Sequence, residues 1–317
     1  MAIHNKLSGV TPALSFVVVT DTAATIRGAL AALRRQTIRE ELEVVIVCPD
    51  EDGLGLGADD VAGLGFVQVV AAGEIVPLHE AAALGVLAAN APILVIGETH
   101  AFPAPDALER ALRYFDDDTL GAVAPGLRNA NPGPASWGSL MVTYGTALGD
   151  KGREIEAIST HNAAVRRAPL ALLGEELPFR LTLGGGLGEA LRRSGYRLLY
   201  APDVVFSHVN VARLRSCFFD RFHSSRCYAT GRAREWGIGR RGLHVVGAPL
   251  VPGLLGWRIS RSPGWEQHRK EFGLGVWPSI AVSVVGMAVG EVAAYTMGVG
   301  RSFDLVADYE VHRERHL

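Results

Sequence analysis

Cysteine is scarce in this chain. Its 317 residues hold three, Cys48, Cys217 and Cys227. An odd number without short spacings gives neither a disulfide framework nor a cysteine-based zinc site. Cys48 falls inside an apolar run and reads as a small buried hydrophobe. Net charge is also nearly absent, at −2, so no general affinity for nucleic acid is expected. No G-x-G-x-x-G follows the first apolar run, which leaves a dinucleotide oxidoreductase poorly supported. The opening MAIHNKLSGVTPALS lacks a long apolar core behind a basic end. It is not read as a signal peptide, and the chain is expected on the cytoplasmic side.

What is present is a rhythm of strands and helices. Leu14 to Thr20 is β-branched and reads as a strand. Thr22 to Arg35 carries Ile26, Leu30 and Leu33 at helical spacing. Strands are expected at Glu43–Val47, Phe66–Val70 and Ile93–Ile96. Helices are expected at Leu78–Ala89 and Asp106–Phe115. This alternation is that of an α/β fold with a mostly parallel sheet flanked by helices. Gly121–Pro125 reads as a further short strand, Leu187–Ser194 as a helix capped by Gly195. Tyr196–Phe206 reads as a strand pair interrupted at Pro202.

The most informative stretch is APILVIGETHAFPAPDALERALRYF, Ala91 to Phe115. Its strand ends in Glu98-Thr99-His100. Ligands of open α/β sheets bind beyond the carboxyl ends of the strands, where strand order reverses. Glu98 and His100, one residue apart, can face one cleft there and hold a divalent metal or meet a phosphate-bearing ligand. Spacing alone is a weak signal, and an ordinary polar loop would look the same.

From Val211 the composition changes. Arg213 to Arg241 holds eight Arg against Asp220 and Glu235, a local net of +6. Such a segment suits anionic headgroups or a pyrophosphate, or is simply a solvated basic face. Val245–Trp257 is 13 residues long and broken by Pro249 and Pro252, too short to span a bilayer. Trp277–Val299 is 23 residues with Glu291 as its one charge. As a helix it would reach ~35 Å, enough for a hydrocarbon core of ~30 Å. An acid in a lipid-exposed helix costs roughly 2.5–3.5 kcal/mol, so interfacial or membrane-dipping packing is expected over a clean span. A buried helix pair in a soluble protein is the other reading. Arg301–Leu317 reads as a charged surface helix.

Taken together, four blocks resemble family 2 glycosyltransferases of the GT-A fold. They are FVVVTDTAATIRGALAALRRQT with LEVVIVCPD, ILVIGETHAFPAPDALERAL, HNAAVRRAPLALLG, and LRRSGYRLLYAPDVVFSHVN. The resemblance covers roughly residues 14–210, and the C-terminal part resembles a membrane-associated subgroup. It implies a nucleotide-sugar-binding domain over residues 1–210 and an Arg-rich, apolar, helical membrane-associated region over 211–317. Thr20 and Asp50 would line the nucleoside site. Glu98 and His100 would replace the two Asp of a D-x-D motif and hold Mn or Mg against the donor diphosphate. His161 and Asn162 would border the sugar or acceptor, and His208 would help hold the diphosphate or the metal through its imidazole.

Two departures bear on chemistry. Thr99 stands at the middle of the metal motif. Gly184 stands where the resemblance places the acid that takes the acceptor proton, and Gly188 where a His can follow. Glu189 is turned by ~100° from Gly188 on a helix. Glu176, like Glu175, could reach in from the preceding loop. The implied activity is an inverting, metal-assisted transfer from a nucleoside diphosphate sugar to a lipid-linked or membrane-bound acceptor. It would take place on the cytoplasmic face of the cell membrane, as in cell-envelope assembly. The alternative is a catalytically inactive GT-A-like subunit with a membrane protein partner.

Overall fold

A computed structural model describes residues 11–317. The reading of the N-terminal segment as non-secretory therefore lies mostly outside the described residues. The chain divides into two compact units. The first takes residues up to Arg128, Lys151–Leu181 and Gly186–Ser207. The second takes Asn129–Asp150, Thr182–Gly185 and His208–Leu317.

The strands are β1 (Leu14–Val19), β2 (Leu42–Cys48), β3 (Phe66–Ala71), β4 (Ile93–Gly97), β5 (Ala101–Pro103), β6 (Leu120–Asn129), β7 (Arg153–Glu154), β8 (Ala164–Arg166) and β9 (Arg197–His208). They form one sheet in the order 3-2-1-4-8-6-9-5, with β7 paired to β9. The first four are parallel, with Leu14 opposite both Leu42 and Ile93. Beyond β4 the pairing turns antiparallel through β8. All seven residues of β2 are buried, as a strand covered on both faces requires. Each fully buried Val, Leu or Ile there contributes roughly 1.5–3 kcal/mol. The helix Leu78–Ala88 supplies one cover, packing Ala81, Ala82 and Val86 with Val17, Val45 and Val47. The helix Ala23–Leu33 buries Ile26, Leu30 and Leu33.

The α/β sheet flanked by helices is as expected from the sequence, one local expectation is corrected and two short strands are added. Tyr196–Phe206 is not a pair of strands: β9 runs unbroken through Pro202. Proline's φ suits an extended chain and removes only one ladder donor. The strands β5 and β8 were not legible, since three residues show no periodicity. Arg301–Leu317 holds the expected surface helix over Ser302–Val311, with Asp304 and Leu305 exposed, and a short 3-10 turn over Arg313–His316. Ser302–Val311 buries Ser302, Val306, Ala307 and Val311, and Arg313 beyond it is 6% exposed.

In the second unit, the helix Leu214–Arg232 packs along Trp277–Met297. Small residues make this close approach possible: a Cβ at Gly290 would clash with the Phe222 carbonyl oxygen. The acid of the apolar helix is answered here, with Arg232 Nη2 donating to Glu291 at 2.9 Å and Tyr295 Oη donating at 3.1 Å. One stretch among the described residues, Leu274–Met297, is long and apolar enough to cross a membrane, and 50% of its most apolar window is buried within the protein. Asp220, 1% exposed, receives Arg221 at 2.7 Å and Ser224 at 3.3 Å. Burial alone would raise its pKa, but Arg221, Arg313 and these hydrogen bonds outweigh it and hold the carboxyl below its ordinary value.

Candidate functional site

Strand order fixes where a ligand can sit. The chain steps from β1 outward to β2 and β3, then returns to the other side of β1 with β4. That reversal is the switch point of an open α/β sheet, and its crevice lies beyond the carboxyl ends of β1 and β4. Thr20 follows β1, and Glu98-Thr99-His100 follows β4.

All three residues of the turn are buried, Glu98 at 6% exposure, Thr99 at 7% and His100 at 4%. A buried carboxylate needs partners, and Glu98 has them. His161 Nδ1 lies 3.0 Å from its Oε1, Asn162 Nδ2 donates to its Oε2 at 2.5 Å, and His100 Nε2 is 3.8 Å from Oε2. Sequence reading placed His161 and Asn162 at the border of the sugar or acceptor; the structure places them against Glu98. Strand β8 brings them there. It pairs antiparallel with β4, Val95 opposite Ala164, so the residues just before β8 lie beside those just after β4. The Asn162 backbone N–H donates to the Ile96 carbonyl at 2.7 Å, and its φ of 61° is the left-handed conformation that asparagine tolerates.

One atom in this cluster is unsatisfied. Asn162 Oδ1 is buried and receives no hydrogen bond. Leaving a buried acceptor unpaired costs about 1–3 kcal/mol. A carboxylate, an amide oxygen and two imidazoles make a donor set of hard oxygen and borderline nitrogen. That set fits a divalent first-row ion or Mg, and the orphaned oxygen marks a place a ligand would satisfy.

The remaining candidates occupy other surroundings. Thr20 is buried, its hydroxyl donating to the Thr22 carbonyl at 2.8 Å and meeting the Thr25 hydroxyl, so its side chain is engaged locally at the entry to the helix Ala23–Leu33. Asp50 is exposed beyond β2 and accepts from Gly53 N–H at 2.5 Å, capping Glu51–Leu54. Glu176 and Glu189 are exposed and ion-paired with Arg180 and Arg193 one turn on, at 2.8 and 2.5 Å. Burial pushes the Cys48 thiol up to about 11, which makes it an inert core group.

His208 belongs to a polar network of the second unit that sequence reading saw only in part. Asn210 Nδ2 donates to Asn129 Oδ1 at 3.1 Å, which turns its Oδ1 toward His208 Nδ1 at 2.9 Å. That arrangement puts the imidazole proton on Nδ1 and the lone pair on Nε2. Asn131 and Ser136 complete the network. The repeated Asn of RNANPG and HVN was the available signal.

Gly184 has a physical reason for being glycine. Its φ is 85°, and a Cβ there would meet the Tyr228 carbonyl oxygen at 2.5 Å. The helix Leu214–Arg232 passes too close for any side chain, so an acid is sterically excluded.

No protein-family model and no curated protein matches this chain. Solved structures do. The mannosyltransferase PcManGT from Pyrobaculum calidifontis, in complex with GDP-Man and Mn2+, is 20% identical with a TM-score of 0.53, over 96% of this chain and 89% of that one. GalNAc-T7 with UDP, GalNAc and Mn2+ is 16% identical with a TM-score of 0.50, over 64% of this chain and 44% of that one. Residues 1–349 of S. aureus TarS in complex with UDP-GlcNAc are 12% identical with a TM-score of 0.50, over 95% and 87%. At these identities the likeness establishes a fold, and that fold is GT-A-like.

Proposed function

We propose that this protein is a glycosyltransferase of family 2 type. It moves a sugar from a nucleoside diphosphate donor, with inversion and divalent-metal assistance, to a membrane-proximal acceptor on the cytoplasmic face. One observation carries the reading: buried Glu98, His100 and Asn162 converge with half-buried His161 beyond the end of β4 at the switch point, with Asn162 Oδ1 unsatisfied. Mn2+ with a nucleotide or nucleotide sugar in the fold's neighbours supports the ligand class.

Glu98 and His100 are the proposed ligands, with Asn162 Oδ1 available as a third. A Mn or Mg ion held there would neutralise charge developing on the departing diphosphate. His161 and the Asn162 amide orient the Glu98 carboxylate, as partners of a ligating group do. Thr20, at the carboxyl end of β1, borders the nucleoside side of the crevice, with Asp50 beyond β2. Glu176 and Glu189 are the carboxylates proposed for the acceptor proton, and each must leave its arginine to accept it.

The experiment is donor binding and donor hydrolysis by the purified protein, with Mn2+, across UDP- and GDP-sugars. Binding that disappears in Glu98→Ala and His100→Ala supports the transferase, and no binding to any donor contradicts it. A second reading has its own observation. With position 184 closed to side chains, the protein can be a GT-A-like subunit of a membrane complex that binds donor without turning it over. Donor binding with transfer lost in Glu189→Gln or Glu176→Gln decides for the enzyme. Binding with no transfer to any lipid-linked acceptor decides for the subunit.

A further inference from the structure

The second unit turns an apolar stripe outward. From Ile238 to Ser260 the chain is helical throughout, as Ile238–Gly247, Ala248–Leu250 and Val251–Ser260. Leu243, Val246, Leu250, Leu254 and Trp257 follow one another at steps of three, four, four and three residues, so they share one face. That face is bare: the five side chains are 72%, 79%, 76%, 55% and 54% exposed. The opposite side is held down, with His244 against the Trp236 and Tyr295 rings and Val245 against Ala229, Ala233 and Ala294. A helix fixed by one face and showing its leucines on the other inverts the pattern of a soluble surface helix. Contiguous exposed apolar faces of this kind mark an interaction site.

The charge around the stripe is of one sign. The thirty residues between Glu235 and Glu266 contain four arginines and no acid. Arg240 precedes the stripe by one turn and lies over the Trp236 ring at 4.0 Å. Arg261 follows it by one turn and lies over the Trp257 ring at 4.9 Å. Aromatic rings beside arginines, flanking a leucine stripe, are the composition of a helix lying in the plane of a membrane interface. A second copy of this chain fits poorly. Two such stripes laid antiparallel would oppose arginine to arginine with no acid to answer.

We infer that the face Leu243–Val246–Leu250–Leu254–Trp257, flanked by Arg240 and Arg261, docks the protein on an anionic lipid surface. The apolar side chains enter the headgroup boundary, and the guanidinium groups meet lipid phosphates. This deepens the membrane-proximal part of the function proposed above. It gives that role to the helices 238–260, whose apolar stretch Val245–Trp257 is too short and too broken by Pro249 and Pro252 to span, rather than to the half-buried helix Trp277–Met297.

The test is co-sedimentation of the full chain with vesicles of phosphatidylcholine alone, and of phosphatidylcholine with one-third phosphatidylglycerol. Binding is expected to be at least tenfold tighter on the anionic vesicles and to weaken with salt. Val246→Glu with Leu250→Glu should lower it at least tenfold, and Arg240→Glu with Arg261→Glu several-fold with a smaller salt dependence. Both pairs are on the surface, and an unchanged circular dichroism spectrum verifies the fold. Brominated lipid should quench tryptophan emission in the parent but much less in Trp257→Phe. No vesicle binding, or binding indifferent to both double variants, overturns the inference. So does a lipid-free dimer that Val246→Glu dissolves, since a second copy would then be the occupant. Donor titration in solution is independent of lipid. A protein that binds donor but not vesicles overturns this inference alone; one that binds vesicles but no donor overturns the transferase reading alone.

Discussion

The first unit buries two carboxylates at opposite edges of its sheet, Glu43 at the start of β2 and Glu98 past the end of β4. Exposure hardly separates them, at 2% and 6%. Their partners do. Glu43 accepts from Asn90 N–H at 2.8 Å, from Asn90 Nδ2 at 2.6 Å and from the Ser15 hydroxyl, while Ser15 Oγ in turn receives Ala91 N–H at 3.0 Å. Those groups are a neutral amide, a neutral hydroxyl and backbone, and they tie β1, β2 and the entry to β4 together. Glu98 is met by imidazoles and by an amide whose own oxygen is left without a donor. The first is a staple at the amino edge of the strands. The second lies at the edge where α/β sheets bind ligands. Burial of an acid therefore does not mark a site; the chemistry of its partners and the strand end do.

The largest expected effect breaks the staple. Glu43→Ala strands the Asn90 and Ser15 donors and should cost about 3 kcal/mol of stability by denaturant melts, with donor affinity of the folded fraction unchanged. Glu98→Gln should do the reverse. Calorimetry with Mn2+ should show donor affinity reduced by about 100-fold, or about 2.7 kcal/mol, with a melting temperature close to the parent's. Asn162→Gly tolerates the left-handed φ but removes the unsatisfied oxygen, and should weaken Mn2+ binding by about tenfold, the range for groups that support a metal site. The smallest effect concerns the third buried acid, Asp220. Its folded pKa is depressed below the ordinary 3.8. Its ionic contribution is thus present above the unfolded value and lost as pH falls through the folded one. Asp220→Asn should flatten the acid limb of the stability profile below about pH 4 and leave donor binding untouched.

How far the sequence carried depends on what each residue's neighbours are. The strands β1 to β4 were legible because dense β-branched runs leave little choice, and the Glu98 turn was legible because it sits at a strand end. The company of Glu98 was not. His161 and Asn162 reach it through β8, a three-residue strand without period, and stand 63 and 64 positions from Glu98 in the chain. Gly184 was seen as a missing acid; the reason, Tyr228 passing at its back, is a tertiary contact no local pattern announces. Glu291 looked costly in an apolar run because Arg232, its partner, lies on another helix. The GT-A-like fold itself followed from four ordered blocks, which is a topological statement and survives low identity.

The most direct measurement is electron paramagnetic resonance of Mn2+ titrated into the protein with a UDP- or GDP-sugar present, for the parent, Glu98→Gln and Glu43→Gln. Bound Mn2+ in the parent and in Glu43→Gln, with loss of the bound signal in a folded Glu98→Gln, is the predicted result. Equal Mn2+ binding in Glu98→Gln, or no bound Mn2+ with any donor, would contradict the assignment of the β4 turn as the donor site.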